Sequence, residues 1–355
     1  MKILYGVQGT GNGHIARARI MANAFATRSD IEVDFLFSGR DHDKYFDMAV
    51  FGTFETRRGL SFATHEGNIS YIKTFWLNSV KACWKEIKQL DVSGYDVVIN
   101  DFEPITAWAA KRQGKPCINI SHQASFLTPI PQAKKTWVDR LIMRYFAPST
   151  INLGVHWYHF GAAILPPFIT LIGNENTVIK SDILVYLPFE SLAQIEDCLN
   201  MLPEYKFIIF HPDVIDAYEQ NNLSMRPLGY EPFQMALQSC SGVIANAGFE
   251  LSSEALSLGK KLLLKPLGGQ FEQMSNIITL EQLGLCELLP HLSFDIIEDW
   301  LAYTSCPPIT YPDQSNTLVD WIAAKQWHDA EPLCEKLWQQ VKFPTSVARR
   351  IKQLQ

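Results

Sequence analysis

Short apolar runs alternate along the chain with segments whose apolar residues recur every three or four positions. Residues 3–7 form the first run. It leads into a glycine-rich loop, Gln8 to His14, after which Ile15, Ala18, Ala22 and Phe25 mark one face of a helix. A second run, 33–37, ends in Ser38-Gly39-Arg40, and residues 40–70 are mixed and poorly periodic. Between Thr74 and Leu90, Leu77, Val80, Trp84 and Ile87 repeat at helical spacing. The run 95–101 then ends in an acid, Pro104 suits the first turn of a helix, and Gly114 closes it. Residues 117–120 are another short strand, ending at Ser121-His122, and 151–153 a further one.

A second series starts at 183–187. It continues through a helix at 192–199, a strand at 206–210, and a turn at 227–230 before a helix carrying Phe233, Met235 and Leu237. The densest signal is 243–278. There Val243-Ile244-Ala245 ends in Asn246-Ala247-Gly248, and a helix carries Leu251, Ala255 and Leu258. Gly259 and two lysines close that helix, Leu262-Leu263-Leu264 follows, and after Gly268-Gly269 a helix opens near Gln270. Strand–glycine–helix units of this kind predict an α/β fold with parallel sheets and ligands at the carboxyl ends of the strands. Backbone N–H groups at such helix starts lack partners that a phosphate oxygen supplies. The glycines serve equally well as plain turns. A strand at 285–289 and helices at 294–300, 317–325 and 331–341 complete the pattern, and Pro344 leaves a short polar tail. Pro166-Pro167 breaks the alternation. The expected division is 1–165 for a first Rossmann-like domain, 166–181 for a linker and 182–326 for a second domain. A helical segment, 327–355, is expected to pack back on the first domain.

Composition narrows the classes of function. The 355 residues are 47% hydrophobic and 19% charged, material for two ordinary globular cores. A net charge of −6 gives no electrostatic case for a nucleic-acid partner. Seven scattered cysteines without metal spacing suit a reducing compartment. The direct start into a strand and the lack of a long apolar run make the cytoplasm the expected location. Residues 134–146 set Lys134, Lys135, Arg140 and Arg144 among Trp137, Leu141, Ile142, Met143, Tyr145 and Phe146. Such a segment suits a membrane interface, an amphiphilic acceptor or a half-buried helix.

Candidate chemistry gathers just past the first-half strands. The loop holding Gly11, Asn12, Gly13 and His14 is not a P-loop, since no Gly-Lys-Ser/Thr follows, nor a dinucleotide fingerprint, since the last glycine interval is wrong and no acid ends the next strand. His14 falls near a helix N-terminus, where the dipole disfavours the imidazolium and leaves a ring fit for a general base. A carboxylate beside it would orient the ring. Asp101 is the first candidate and Glu103 its rival, each also readable as a helix cap. His122 follows a third strand end. His156 and His159 have no third partner for zinc.

The Gly-x-Gly-Asn-Gly-His opening, Asp101, the proline-rich middle and the 242–276 stretch together resemble the two-Rossmann-domain nucleotide-sugar glycosyltransferases, the GT-B fold. Among these are the cell-wall muropeptide N-acetylglucosaminyltransferase and the UDP-glucosyl and glucuronosyl transferases. The resemblance implies two domains facing across a cleft and an inverting, metal-independent transfer. The donor would be a nucleotide-diphosphate sugar, UDP-sugar foremost, and the acceptor hydroxyl would be carried by a glycan or a lipid-linked molecule. It implies His14 as base, Asp101 as its orienting acid, and Gly11, Asn12, Gly13 and His122 on the acceptor side. On the donor side it implies Gly248 and Phe249 at the diphosphate and base, Glu254 on the ribose hydroxyls, Gly268 and Gly269 at sugar and phosphates, Gln273 on the sugar, and Asn276 supporting that loop. Only the later half of the longer family signature is present, and Glu272-Gln273 stands where Asp/Glu-Gln is common. A sugar-nucleotide 2-epimerase and a non-catalytic sugar-nucleotide or glycan-binding protein share the architecture.

Overall fold

The computed structural model describes residues 1–10, 12–45, 47–60, 64–65, 68–69, 80–169, 179–303 and 307–354. The first half contains β1 (Lys2–Gln8), α1 (Asn12–Ala26), β2 (Glu32–Ser38), β3 (Phe54–Arg57) and a two-stranded ribbon of β4 (Thr64–His65) and β5 (Asn68–Ile69). It continues with α2 (Val80–Gln89), β6 (Val97–Asp101), α3 (Pro104–Gln113), β7 (Cys117–Ser121), α4 (His122–Ser125), α5 (Trp137–Tyr145), β8 (Ile151–Val155) and β9 (Ile164–Leu165). Its sheet runs β3-β2-β1-β6-β7-β8-β9, all parallel. The strand order therefore reverses between β1 and β6, where a doubly wound sheet opens its ligand crevice.

The second half contains β10 (Ile183–Tyr186), α6 (Leu192–Asn200), β11 (Phe207–Phe210), β12 (Tyr218–Gln220), β13 (Leu223–Arg226), α7 (Tyr230–Ser239) and β14 (Gly242–Asn246). Then come α8 (Phe249–Ser257), β15 (Lys261–Lys265), α9 (Phe271–Leu283), β16 (Glu287–Leu288) and α10 (Phe294–Leu301). The sheet order is β12-β13-β11-β10-β14-β15-β16, with only the β12–β13 pair antiparallel. The reversal falls between β10 and β14, so both halves place their crevice beside the central strand.

The local reasons are visible in the sequence. Pro104 sits in the first turn of α3, the Glu103 side chain accepts the N–H groups of Ile105 and Thr106, and Gly114 ends the helix at φ +66°. The two lysines after Gly259 secure other helices. Lys260 Nζ donates to the Gln238 and Cys240 carbonyls at the end of α7, and Lys261 Nζ to those of Trp300, Leu301 and Tyr303 at the end of α10.

One apolar core runs through both halves, from Ile3 and Tyr5 through Trp157 and Phe249 to Leu264 and Leu280. Helices after residue 314 tie the halves together. α11 (Ser315–Ala323) packs on α1, with Arg28 Nη1 donating to Asp320 at 2.5 Å. α12 (Glu331–Trp338) reaches β9 through Trp338 Nε1 and the Ile164 carbonyl, 2.6 Å apart. The packing thus returns to the first half at α11, before position 326. The tail after Pro344 is not a plain polar end: it forms α13 (Thr345–Leu354), burying Val347 and Ile351 one turn apart against α9. Arg349, Arg350 and Lys352 in that helix hide its narrow apolar stripe in the sequence. The helical stripe expected from Thr74 is described only from Val80, and residues 170–178 of the expected linker lie outside the described residues.

Candidate active site

β1 and β6 lie side by side, with Val7 opposite Asp101. Because α1 starts four residues beyond β1, His14 is brought over the end of β6. The His14 Nδ1–H donates to Asp101 Oδ1 at 2.7 Å, since a carboxylate can only accept. That contact leaves Nε2 as the basic nitrogen, on a side chain 14% exposed.

Sequence reading missed the third member. Arg17, one turn further along α1 and 1% exposed, donates its Nε to Asp101 Oδ2 at 2.8 Å and its Nη2 to Oδ1 at 2.9 Å. Its Nη1 donates to Glu250 Oε1 in α8, on the other half of the molecule. Burial pushes the Asp101 carboxyl up, but Arg17 and His14 pull it net below its ordinary value. Asp101 is therefore an ionised, buried acid held by two partners. Arginine at a helix position three residues after a histidine is an ordinary surface pattern, so only the fold exposes its role. Glu103 is not the orienting acid: it is fully buried, caps α3 and accepts from Ser38 Oγ at 2.6 Å.

The donor-side residues are distributed less tightly. α8 starts after Gly248, which offers no capping side chain and has open space where a Cβ would stand. Asn246, just before it, donates from Nδ2 to the Lys265 carbonyl at 3.0 Å, and its buried Oδ1 has no protein partner. Phe249 is buried, and its ring stacks on His122 with centroids 4.0 Å apart. His122 is 1% exposed and does not line an open acceptor surface. Its Nδ1 meets the Val155 carbonyl at 2.9 Å and its Nε2 the Asn276 side-chain amide at 2.7 Å. Burial lowers its pKa. Asn276 in turn donates to the Ala247 carbonyl at 2.9 Å, so it supports the loop before α8 rather than the one at Gly268-Gly269.

Glu254 accepts from Gln234 Nε2 at 3.0 Å, and burial pushes its carboxyl up to about 7. Gln273 is buried and accepts the Leu267 N–H at 2.8 Å, so its oxygen holds the loop instead of reaching outward. Gly268 and Gly269 are exposed, and Gly269 takes φ +74° with open space around it. Asn12 accepts from Arg40 Nη2 at 3.1 Å. Gly13 lies against α8, since a Cβ there would come 2.5 Å from Glu250 Cγ. Gly11 lies outside the described residues. Among the described residues no three His, Cys, Asp or Glu side chains converge in a metal-holding group.

Two doubly wound sheets with crevices at their central strands, joined by a helical return, are the GT-B architecture. Solved structures share this fold across nearly the whole chain. The glycotransferase of kitacinnamycin is 12% identical with TM-score 0.58, covering 96% of this chain and 99% of its own. Arabidopsis thaliana UGT89C1 complexed with UDP is 13% identical with TM-score 0.55, covering 99% and 98%. The glycosyltransferase SnogD from Streptomyces nogalater is 14% identical with TM-score 0.54, covering 96% and 99%. No curated protein shows significant sequence similarity to the chain. The profile of Glycosyl transferase family 1 matches residues 1–304, and the chain belongs to that family.

Proposed function

We propose that the protein transfers a sugar from a nucleotide diphosphate, UDP foremost, to an acceptor hydroxyl, with inversion at the anomeric carbon and without a resident metal. The observation that carries this reading is the His14–Asp101 contact at 2.7 Å, with Nε2 left free at the crevice. His14 Nε2 takes the acceptor proton. The acceptor oxygen bonds to the anomeric carbon as that carbon's bond to the diphosphate oxygen breaks, and the electron pair leaves on the diphosphate. Asp101 holds the ring and offsets the imidazolium charge. Charge accumulating on the leaving group suits the backbone N–H groups in the first turn of α8, with the Gly268-Gly269 loop as the second candidate contact. Glu254, which accepts from Gln234, takes the ribose hydroxyls in this reading. The relative solved with UDP supports the choice of nucleotide.

A lipid-linked acceptor, and with it a peripheral position on a membrane, is supported by one face of the first half. Trp137 (73% exposed), Leu141 and Tyr145 stand on the outer side of α5 with Arg140 and Arg144. Trp108 Nε1 donates to the Tyr145 carbonyl at 3.0 Å, and Trp84 meets Trp108 edge-on at 5.8 Å. Lys88 and Arg112 lie over Trp84, and Lys111 over Trp108. The acids of these helices are engaged elsewhere: Glu86 accepts backbone N–H groups of Arg58 and Gly59, and Asp139 closes a capping box. Aromatic and basic groups interleaved in this way fit the interface of an anionic bilayer. No helix among the described residues is long and apolar enough to cross a membrane.

Incubation with a panel of nucleotide sugars and lipid or glycan acceptors tests the reading by its product. A glycosylated acceptor is expected. An epimerised donor, or a donor bound and returned unchanged, would replace transfer with one of the other activities compatible with this fold.

A further inference from the structure

Asp101 is shared. Its Oδ1 accepts from both His14 and Arg17, and the Arg17 Nη2 lies 3.4 Å from His14 Nδ1. A guanidinium so close to the imidazole opposes its protonation and cancels much of the help Asp101 gives. The charge that tips this balance belongs to Glu250, in the first turn of α8, which takes the remaining arm of Arg17. Gly13 permits the approach, because any side chain there would displace the Glu250 stem.

We infer that Glu250 is a positioning residue which sets the base strength of His14 through Arg17, so that the base is armed by docking of the second half of the molecule against α1. The inference rests on the reading of His14 as the base. With Glu250 ionised, the group Asp101–Arg17–Glu250 carries a net negative charge and stabilises the imidazolium formed on proton abstraction. With Glu250 neutral, Arg17 and Asp101 merely cancel. The other titratable groups facing the cluster are Tyr5, buried beneath it, Glu272 in α9, Glu254 one turn beyond Glu250 in α8, and His122 after β7. Burial pushes the Glu250 carboxyl up to about 7, with Arg17 lowering it and Asp101 raising it, so its charge changes in the range where the enzyme would work.

The test is an NMR titration of the full chain labelled with 15N-histidine, with the His14 signals assigned by their loss in His14→Gln. In the unmodified protein the His14 titration is expected to be broader than that of an isolated group, because its proton affinity changes as Glu250 ionises. In Glu250→Gln, which keeps the size and one acceptor, a single step about 0.5–1 pH unit lower is expected. Glu250→Asp, which retains the charge, is expected to keep most of the original midpoint. The acid limb of kcat/KM should move with His14. A curve in the unmodified chain as sharp as that of Glu250→Gln overturns the inference, as does an unmoved midpoint in Glu250→Gln or an equal fall in Glu250→Asp. Transfer that is absent while these NMR shifts hold removes the assigned reaction but not the coupling.

Discussion

The two sides of the crevice solve opposite problems. On the first half, His14, Asp101 and Arg17 are fixed by a buried, fully paired charge cluster. On the second, the starts of α8 and α9 carry no side-chain cap, and the nearby Gly268 and Gly269 are exposed. A proton acceptor has to be aimed to within a few tenths of an ångström, and buried ion pairs do that at a cost in desolvation. A diphosphate needs several donors at once, and the N–H groups of an uncapped helix start provide them without further side chains. A buried ion-pair cluster therefore marks the side read as catalytic, and uncapped helix starts the side read as donor-binding.

Substitutions can separate these roles. The largest effect is expected from His14→Ala: transfer should fall by about 10²–10⁴-fold while nucleotide-sugar binding, read by calorimetry, stays near the original. Full transfer by this variant would take His14 out of its role. Next is Arg17→Met, which strands Asp101 as an unpaired buried charge. A loss of about 3–5 kcal/mol in denaturant stability is expected, and a change near zero would show that Arg17 is dispensable to the cluster.

Glu254→Ala should weaken donor binding by about 10–100-fold with a smaller effect on the chemical step, as fits the loss of hydrogen bonds to a charged acceptor. Its pH dependence sharpens the contrast. A carboxyl raised to about 7 by burial holds its proton in the folded chain after the unfolded chain has lost it. Donor-free stability should thus fall as pH rises from about 4.5 through about 7, while donor affinity rises over the upper part of that window as the acceptor ionises. Thermal melts with and without UDP across pH 5–8 read both trends. The smallest effect is expected at the outer face of the first half, where Lys88→Glu, Arg112→Glu and Arg144→Glu should each weaken sedimentation with anionic vesicles by about 1 kcal/mol. Unchanged vesicle binding, or none by the unmodified chain, would remove the membrane surface.

Much of the fold was legible because its signals are local. Apolar runs of four or five residues, Pro104 and Gly114 bracketing a helix, and glycines after strands each act within one turn of chain. The weaker signals were lost. Residues 223–226 and 54–57 form strands in which polar residues break the apolar run, and α13 buries only two apolar residues under a basic surface. The pairing of His14 with Asp101 was reachable because both follow parallel strands, and parallel strands end at one edge. His122 was misplaced by the same rule: the edge is also where the halves meet, and Phe249 and Asn276 seal it there.

What the chain determined by itself is the alternation of elements and the kinds of residue at their ends, since hydrophobic period and backbone geometry are properties of neighbours in sequence. The tertiary structure decided which ends meet across the halves. Arg17 and Glu250 are separated by 233 positions, and no local rule joins them. Their charges matter only because folding excludes water from the space they share, where an ion without a counter-ion is too costly to keep.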